Sequence, residues 1–468
     1  MQSAQRWAQE TFGHSQLGDA RRTRRMVQMM AAAGGRPDGR ISAVFRTPAE
    51  RQAAYDFIEH GSVSPEAIVA AVGDACARKC AGRDLVEVVI DGTSLTLTDL
   101  KATKGFGYIG ARRCKSFGLK VMNTLALTPQ CEVLGVPTQC YWVRNGAAKK
   151  RGYQPPDRRE SKFWRDAVDE VSERCARLAP QTRLHFLGDR EADASLLMRR
   201  ILELGHEFTI RANGTRVVDT GSRRIGVRER LLEQEPLAHI TLRVCARAGG
   251  REREAILEVR AARVPLVLRD HQRKDRVIRG ITVVWARESA QLTEGDKRVQ
   301  WMLYSTDHAV DAAAACAVVQ RYCRRWRIEE MHRTWKSGTC NVERMQLRSK
   351  EAATKWACML AAVAAQVERL KTLSRTDPDQ PASVVLREVE IRALILLKRK
   401  EKKRTETVPN AMPTIAQAAR WIADLGGYVG HKSSGRPGSV VLTRGLERVL
   451  AAAETIEALE EQGPVKIR

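Results

Sequence analysis

Eleven cysteines are scattered along the 468 residues, and no two form a C-x-x-C pair. Cys76 and Cys80 come nearest, four apart and without a matching second pair, which excludes zinc knuckles and ribbons. Their odd number fits free thiols in a reducing compartment, so a cytoplasmic protein is expected. Long apolar runs are missing too. The longest, residues 356–365, is half of the ~20 residues a membrane helix needs, and it ends at Gln366. The opening residues, Met1-Gln-Ser-Ala-Gln-Arg, lack the apolar core of a signal peptide. No 20- to 50-residue repeat is visible, which excludes a solenoid or propeller.

Negative charge is in short supply. Against 80 Lys and Arg stand 55 Asp and Glu, a formal charge of +25. Such a surplus attracts polyanions, with nucleic acid the default partner. The hydrophobic fraction of 43% is enough for real cores, and the length allows two to four domains.

The first 70 residues read as helical, with apolar residues recurring at three and four. They carry two basic stretches, Arg21-Arg22-Thr23-Arg24-Arg25 and residues 46–51. Each is either a solvated helix face or a phosphate contact. Strand signals follow. Residues 86–90 are a β-branched run ending in Asp91, and 95–100, 119–127 and 131–136 look like further strands. Residues 145–160, with Pro155-Pro156, read as a loop. The spacing predicts a helix over 160–178, a buried strand over 184–188 ending in Asp189, a helix over 192–204 and a strand over 207–211.

Residues 212–310 change character. Val, Ile, Thr and Arg alternate in several runs, which predicts a β-rich insertion closed by a strand at 301–306. One long helix is expected over 312–336, stopped by Ser337-Gly338, and a second over 352–373. Residues 374–382 read as a linker, and 398–404 as a basic run that is a solvated tether on the plain reading. The last 60 residues are expected to be helical, broken by a Gly-rich loop at 426–438.

The chemistry sits in carboxylates. Asp91 and Asp189 both end strands, where functional groups gather in open α/β sheets, although Asp is also an ordinary turn residue there. On the helix 312–336, Tyr322, Arg325, Glu329 and Lys336 fall within a stripe roughly 60° wide. That is either a surface salt-bridge stripe or an acid holding metal beside cations holding phosphate oxygens. Glu330 lies well off the stripe, at about 80°, and suits a structural ion pair. Two Asp and one Glu from separate elements can hold two divalent ions, and carboxylate ligands favour magnesium or manganese over zinc.

Asp91-Gly92-Thr93-Ser94, Gly188-Asp189-Arg190-Glu191-Ala192-Asp193 and Tyr322-x-x-Arg325-Trp326-Arg327-Ile328-Glu329-Glu330 resemble motifs of the DDE transposases of bacterial insertion sequences. The likeness is to the group named after insertion sequence four, which includes the Tn-five transposase. Leu17-Gly18-Asp19-Ala20-Arg21-Arg22, Ala54-Tyr55-Asp56-Phe57-Ile58 and Leu425-Gly426-Gly427-Tyr428 extend it over nearly the whole chain. The resemblance implies an α/β fold: a ribonuclease-H-like catalytic core interrupted by a β-rich insertion, with helical N- and C-terminal domains. The expected domains are 1–70 for DNA binding, 71–373 for catalysis and 374–468 for dimerisation.

The resemblance further implies that Asp91, Asp189 and Glu329 are catalytic metal ligands for Mg2+, with Mn2+ able to substitute. Arg21, Arg22, Arg25, Arg211, Tyr322, Arg325, Arg333 and Lys336 would contact DNA. Trp301 would stack on a base flipped from the duplex, against the plainer reading of a core tryptophan. The implied partners are double-stranded DNA, both transposon ends and target, and a second copy of the chain in the synaptic complex. The implied reaction is cut-and-paste transposition through a hairpin. The apolar stripe Ile415, Ala418, Trp421 and Ile422 is the expected dimer contact. The rival readings are a catalytically silent, transposase-derived DNA-binding regulator and a nuclease that only hydrolyses.

Overall fold

The computed structural model describes residues 2–99, 102–110, 116–144, 159–244, 253–289, 298–401, 407–430 and 437–462. Most of the proline loop at 145–160, the end of the basic run at 398–404 and the middle of the glycine loop at 426–438 lie outside the described residues.

Helices α1 (Gln2–Phe12), α2 (Ala20–Gly35), α3 (Ile41–Val44), α4 (Pro48–Glu59) and α5 (Pro65–Cys80) open the chain. Side-chain caps fix where three of them start. Asp19 accepts from the Arg21 amide, Thr47 and Glu50 form a reciprocal capping box, and Ser64 caps α5 ahead of Pro65.

Next come β1 (Leu85–Thr96), β2 (Gly107–Tyr108), β3 (Phe117–Leu127), β4 (Val133–Gly135), β5 (Gln139–Trp142), α6 (Lys162–Leu178), β6 (Arg183–Gly188), α7 (Ser195–Glu203) and β7 (Glu207–Arg211). Five of these strands run in the order β5-β3-β1-β6-β7. The pairs β5–β3 and β3–β1 are antiparallel, and β1–β6 and β6–β7 are parallel. Alternation along β1 splits its side chains between two layers. Val86, Val88 and Ile90 pack with Trp164, Ala167, Val168 and Val171 of α6. Glu87, Val89 and Asp91 take the other face.

β1 corrects the reading of two strands at 86–90 and 95–100, because it runs unbroken through Asp91-Gly92-Thr93-Ser94. The long antiparallel partner β3 holds that stretch, pairing Asp91 with Asn123 and Gly92 with Met122. The strand that does end at this level is β6.

The region read as a β-rich insertion holds β8 (Val217–Asp219), β9 (Arg224–Gly226), the short α8 (Val227–Leu232), β10 (Ala238–Val244), β11 (Arg253–Arg269) and β12 (Asp275–Glu288). β13 (Gln300–Ser305) then pairs with both β12 and β7. The insertion is therefore an extension of the catalytic sheet, continuous with it through main-chain hydrogen bonds.

The expected single helix over 312–336 is two, α9 (Ala312–Arg324) and α10 (Trp326–Lys336). At the junction the Arg325 amide bonds Tyr322 O at 3.0 Å and the Ile328 amide bonds Arg325 O at 3.2 Å. These i→i−3 bonds tighten the turn, but Arg325 keeps right-handed helical dihedrals, so the stripe survives.

α11 (Lys350–Thr376), capped by Ser349, is the central helix, buried on nearly all sides. It contains the longest apolar run. Among the described residues no helix is long and apolar enough to cross a membrane. α12 (Glu388–Glu401), α13 (Ile415–Leu425) and α14 (Ser439–Gln462) complete the chain. They share a core with Leu370 and Leu373 of α11. Ile415, Ala418, Trp421 and Ile422 lie inside that core. The stripe expected at a dimer contact is thus covered by the chain's own helices, because its apolar width matches what α13 needs against α12 and α14.

Candidate active site

The register of β1 on β6 brings the two aspartates to one end of the sheet. Val89 pairs with Leu187, and the same offset continued by two residues sets Asp91 beside Asp189. Asp91 lies mostly buried on β1, facing α10. Asp189 follows the last residue of β6, and its carboxylate accepts from the Glu191 amide at 2.8 Å, capping a short 3-10 turn. That turn delays α7 to Ser195, three residues later than the spacing predicts.

Glu329 comes in from α10. One oxygen each from Asp91 and Glu329 and one ring nitrogen of His332 lie within 4.8 Å of one another. Arg325 stands between the two acids, 3.4 Å from Glu329 Oε1 and 3.8 Å from Asp91 Oδ2. Burial pushes the Asp91 acid up. Arg325 pulls it back, and Glu329 and Asp189 push it up again, to about 7. Carboxylates that resist being charged together are what a divalent cation relieves, and an oxygen-rich donor set suits a hard ion. The residues therefore fit such a metal.

The rest of the stripe follows the same line. Lys336 Nζ lies 3.5 Å from Thr93 Oγ1, on the β1 face that carries Asp91, and 3.6 Å from Glu343. Tyr322 is buried at the end of α9 with its hydroxyl next to Arg211, and burial raises its pKa. Its ring meets Trp301 edge-on at 5.4 Å between centroids. Arg211 ends β7 opposite Leu303 of β13 and donates to Gln300 O at 3.2 Å. Arg211, Trp301 and Tyr322 are thus gathered together, with Asp189 near enough to bear on the Tyr322 hydroxyl. Arg333 is exposed on α10, one turn beyond Glu329.

Arg21, Arg22 and Arg25 lie apart from this group, on α2. Arg21 and Arg25 are exposed, whereas Arg22 donates to Leu17 O at 2.9 Å and holds the turn before the helix. Glu330, off the stripe, pairs with Arg327 and with Lys371 of α11 at 3.2 Å.

Three buried residues escaped the reading of the sequence: His332, Asn123 and Gln139. His332 Nδ1 is 3.9 Å from Asp91 Oδ2, and Nε2 is 2.9 Å from Asn123 Nδ2. Burial, with Lys336 and Arg325 nearby, pushes the imidazole down to about 3, so it is neutral. The Glu329-x-x-His332 spacing was the available signal, since residues three apart share a helix face.

Three family models match the chain. One described as Transposase DNA-binding covers residues 4–63, Transposase DDE domain covers 152–365, and Transposase Tn5 dimerisation domain covers 362–459. Together they span more than three quarters of the sequence. The DDE match contains Asp189 and Glu329, and Asp91 precedes it. With the mixed sheet and the carboxylate cluster, these matches define the class: the chain belongs to the DDE transposases, metal-dependent DNA transposases with a ribonuclease-H-like core. Within that class it is Tn5-like, of the group named after insertion sequence four. It carries a DNA-binding domain and a dimerisation domain, so its partners are DNA and a second copy of itself.

Proposed function

We propose that Asp91, Asp189 and Glu329 hold two divalent ions, Mg2+ with Mn2+ as a substitute, and that the protein moves its element by cut and paste through a DNA hairpin. The observation that carries this reading is the convergence of β1, β6 and α10, with the Asp91 and Glu329 carboxylates within 4.8 Å. When bound, the ions would neutralise charge at phosphorus and lower the pKa of an attacking hydroxyl.

The chain's own residues do the rest. Arg325, Lys336 and Tyr322 line the approach and hold the non-bridging oxygens of the scissile phosphate. Arg211 and Arg333 grip the flanking backbone, and Trp301 stacks on an extruded base. Water first cuts one strand at each end and frees a 3′-hydroxyl. That hydroxyl attacks the opposite strand, forming one P–O bond and breaking another, which leaves a hairpin. Water reopens the hairpin, and the freed 3′-hydroxyls join target DNA. Every step is an in-line displacement at phosphorus, so one site serves all of them. Residues 1–70 bind the ends through Arg21 and Arg25, with Arg22 holding the turn before α2; residues 71–373 cut and join, and residues 374–468 pair two copies, in the cytoplasm.

The test is cleavage of a plasmid carrying the gene's own flanking repeats, by wild type and Glu329→Ala, with Mg2+, Mn2+ or EDTA. Hairpin-ended fragments from wild type alone, lost in EDTA, support the reading. Tight binding without cleavage by either protein in both metals makes it a DNA-binding regulator. Cleavage without joined products makes it a nuclease.

A further inference from the structure

A relay of buried side chains leads to Asp91 that the chemistry above leaves unused. Gln139, Asn123 and His332 are 5%, 0% and 6% exposed. They come from β5, β3 and α10, and the sheet sets their order. Asn123 is the cross-strand partner of both Asp91 and Gln139. Gln139 Nε2 donates to Asn123 Oδ1 at 2.6 Å. That leaves the Asn123 amide nitrogen, which can only donate, 2.9 Å from His332 Nε2. Nε2 must then be the bare nitrogen of a neutral ring, and the single proton sits on Nδ1. Nδ1 is the atom that faces Asp91 Oδ2, at 3.9 Å.

We propose that His332 is a positioning residue for the Asp91 carboxylate: Asn123 and Gln139 lock it as the Nδ1–H tautomer, which donates to Asp91 and takes no place in the metal's ligand set. Its nearness to Asp91 and Glu329 would otherwise suggest a third ligand. A protonated ring nitrogen has no lone pair to give. With His332 so held, the metal sees oxygen donors only, which excludes the nitrogen-bearing set that favours zinc. The effect on metal rests on the reading of Asp91 as a ligand; the tautomer does not.

The full chain labelled with 15N-histidine reports the tautomer directly in long-range 1H–15N correlation spectra, with His332 assigned by its absence in His332→Asn. The expected result is an Nδ1-protonated ring that keeps its proton when Mg2+ is added. An Nε2-protonated ring, or loss of the Nδ1 proton on adding Mg2+, overturns the proposal. Mn2+ affinity of the full chain, read from the free-ion paramagnetic resonance signal, gives a second test. The amide nitrogen of Asn can stand in for Nδ1, whereas that of Gln stands in for Nε2. His332→Gln is therefore expected to weaken Mn2+ binding about 10-fold or more, and His332→Asn to restore it to within about 3-fold. Equal weakening in both variants overturns the proposal. Asp91→Ala is the control: unchanged Mn2+ affinity there sinks the metal reading of Asp91 and leaves the tautomer result standing.

Discussion

The carboxylate of Glu330 lies 3.2 Å from the ammonium of Lys371, turned away from the stripe that its neighbour Glu329 shares with Arg325. Lys371 is almost wholly buried and also pairs with Glu368. Adjacent glutamates on one helix thus divide into one for the site and one for the core. Glu330→Gln is expected to cost about 1–3 kcal/mol of stability, moderated by Glu368. Glu329→Gln is expected to leave stability within about 0.5 kcal/mol and abolish cleavage. Urea unfolding and plasmid cleavage, run on both variants, check this. The reverse pattern would exchange the two roles.

Glu87 is fully buried on β1, four residues before Asp91, and takes both Arg321 and Arg324 of α9. Removing it strands two partly buried cations. Glu87→Ala is expected to destabilise the protein by about 3–5 kcal/mol, with Glu87→Gln milder. The unfolding midpoint should fall with the denaturant slope unchanged. An effect below about 1 kcal/mol would mean that Arg321 is held sufficiently by Asp307, its other partner.

Trp301 stands edge-on to Tyr322, and the base-holding role can be separated from packing. Stacking on a base contributes about 1–3 kcal/mol, so Trp301→Ala should slow hairpin formation by about 5- to 150-fold. The first nick should be untouched. Denaturing gels of end-labelled DNA resolve the two products. An equal loss in both steps would assign Trp301 to the core beside Tyr322.

The basic cluster on α2 contains two kinds of arginine. Arg25 is exposed, and Arg25→Ala should make the dependence of log K on log salt shallower by about one. Arg22 bonds Leu17 O, so Arg22→Ala should cost about 0.5–1.5 kcal/mol of stability and leave the slope alone. Fluorescence anisotropy across a salt series tells them apart. Identical slopes for the two variants would refute the division.

Much of the site was legible because its spacing is local. The stripe Tyr322–Lys336 needs only the helical repeat, and Glu330 was excluded from it by the same angle. The β-rich insertion showed in its alternation. What was not legible depends on pairing between distant strands. Asp91-Gly92-Thr93-Ser94 reads as a break between two strands, and its pairing with residues 120–123 of β3 keeps it extended. The turn after Asp189 hides in a helical pattern, because a capping carboxylate and a helix start share one signature. Arg22 looks like any basic residue until its reach to Leu17 is seen. Asn123, Gln139 and His332 come from three elements, so no window of sequence holds them together. The stripe on α13 misled for the opposite reason: amphipathicity tells that a face is covered, not by what.

The continuity of the insertion with the catalytic sheet has a mechanical consequence. Arg211 and Trp301 stand on β7 and β13, strands joined by main-chain hydrogen bonds, and Asp189 follows the strand on the other side of β7. If Trp301 receives a base while the carboxylates hold the phosphate, the span between the two is a fixed gauge set by the strand spacing of a sheet. The protein then works as a jig with no joint at that place, and the bending falls on the duplex. DNA steps that unstack easily should be the ones it processes fastest.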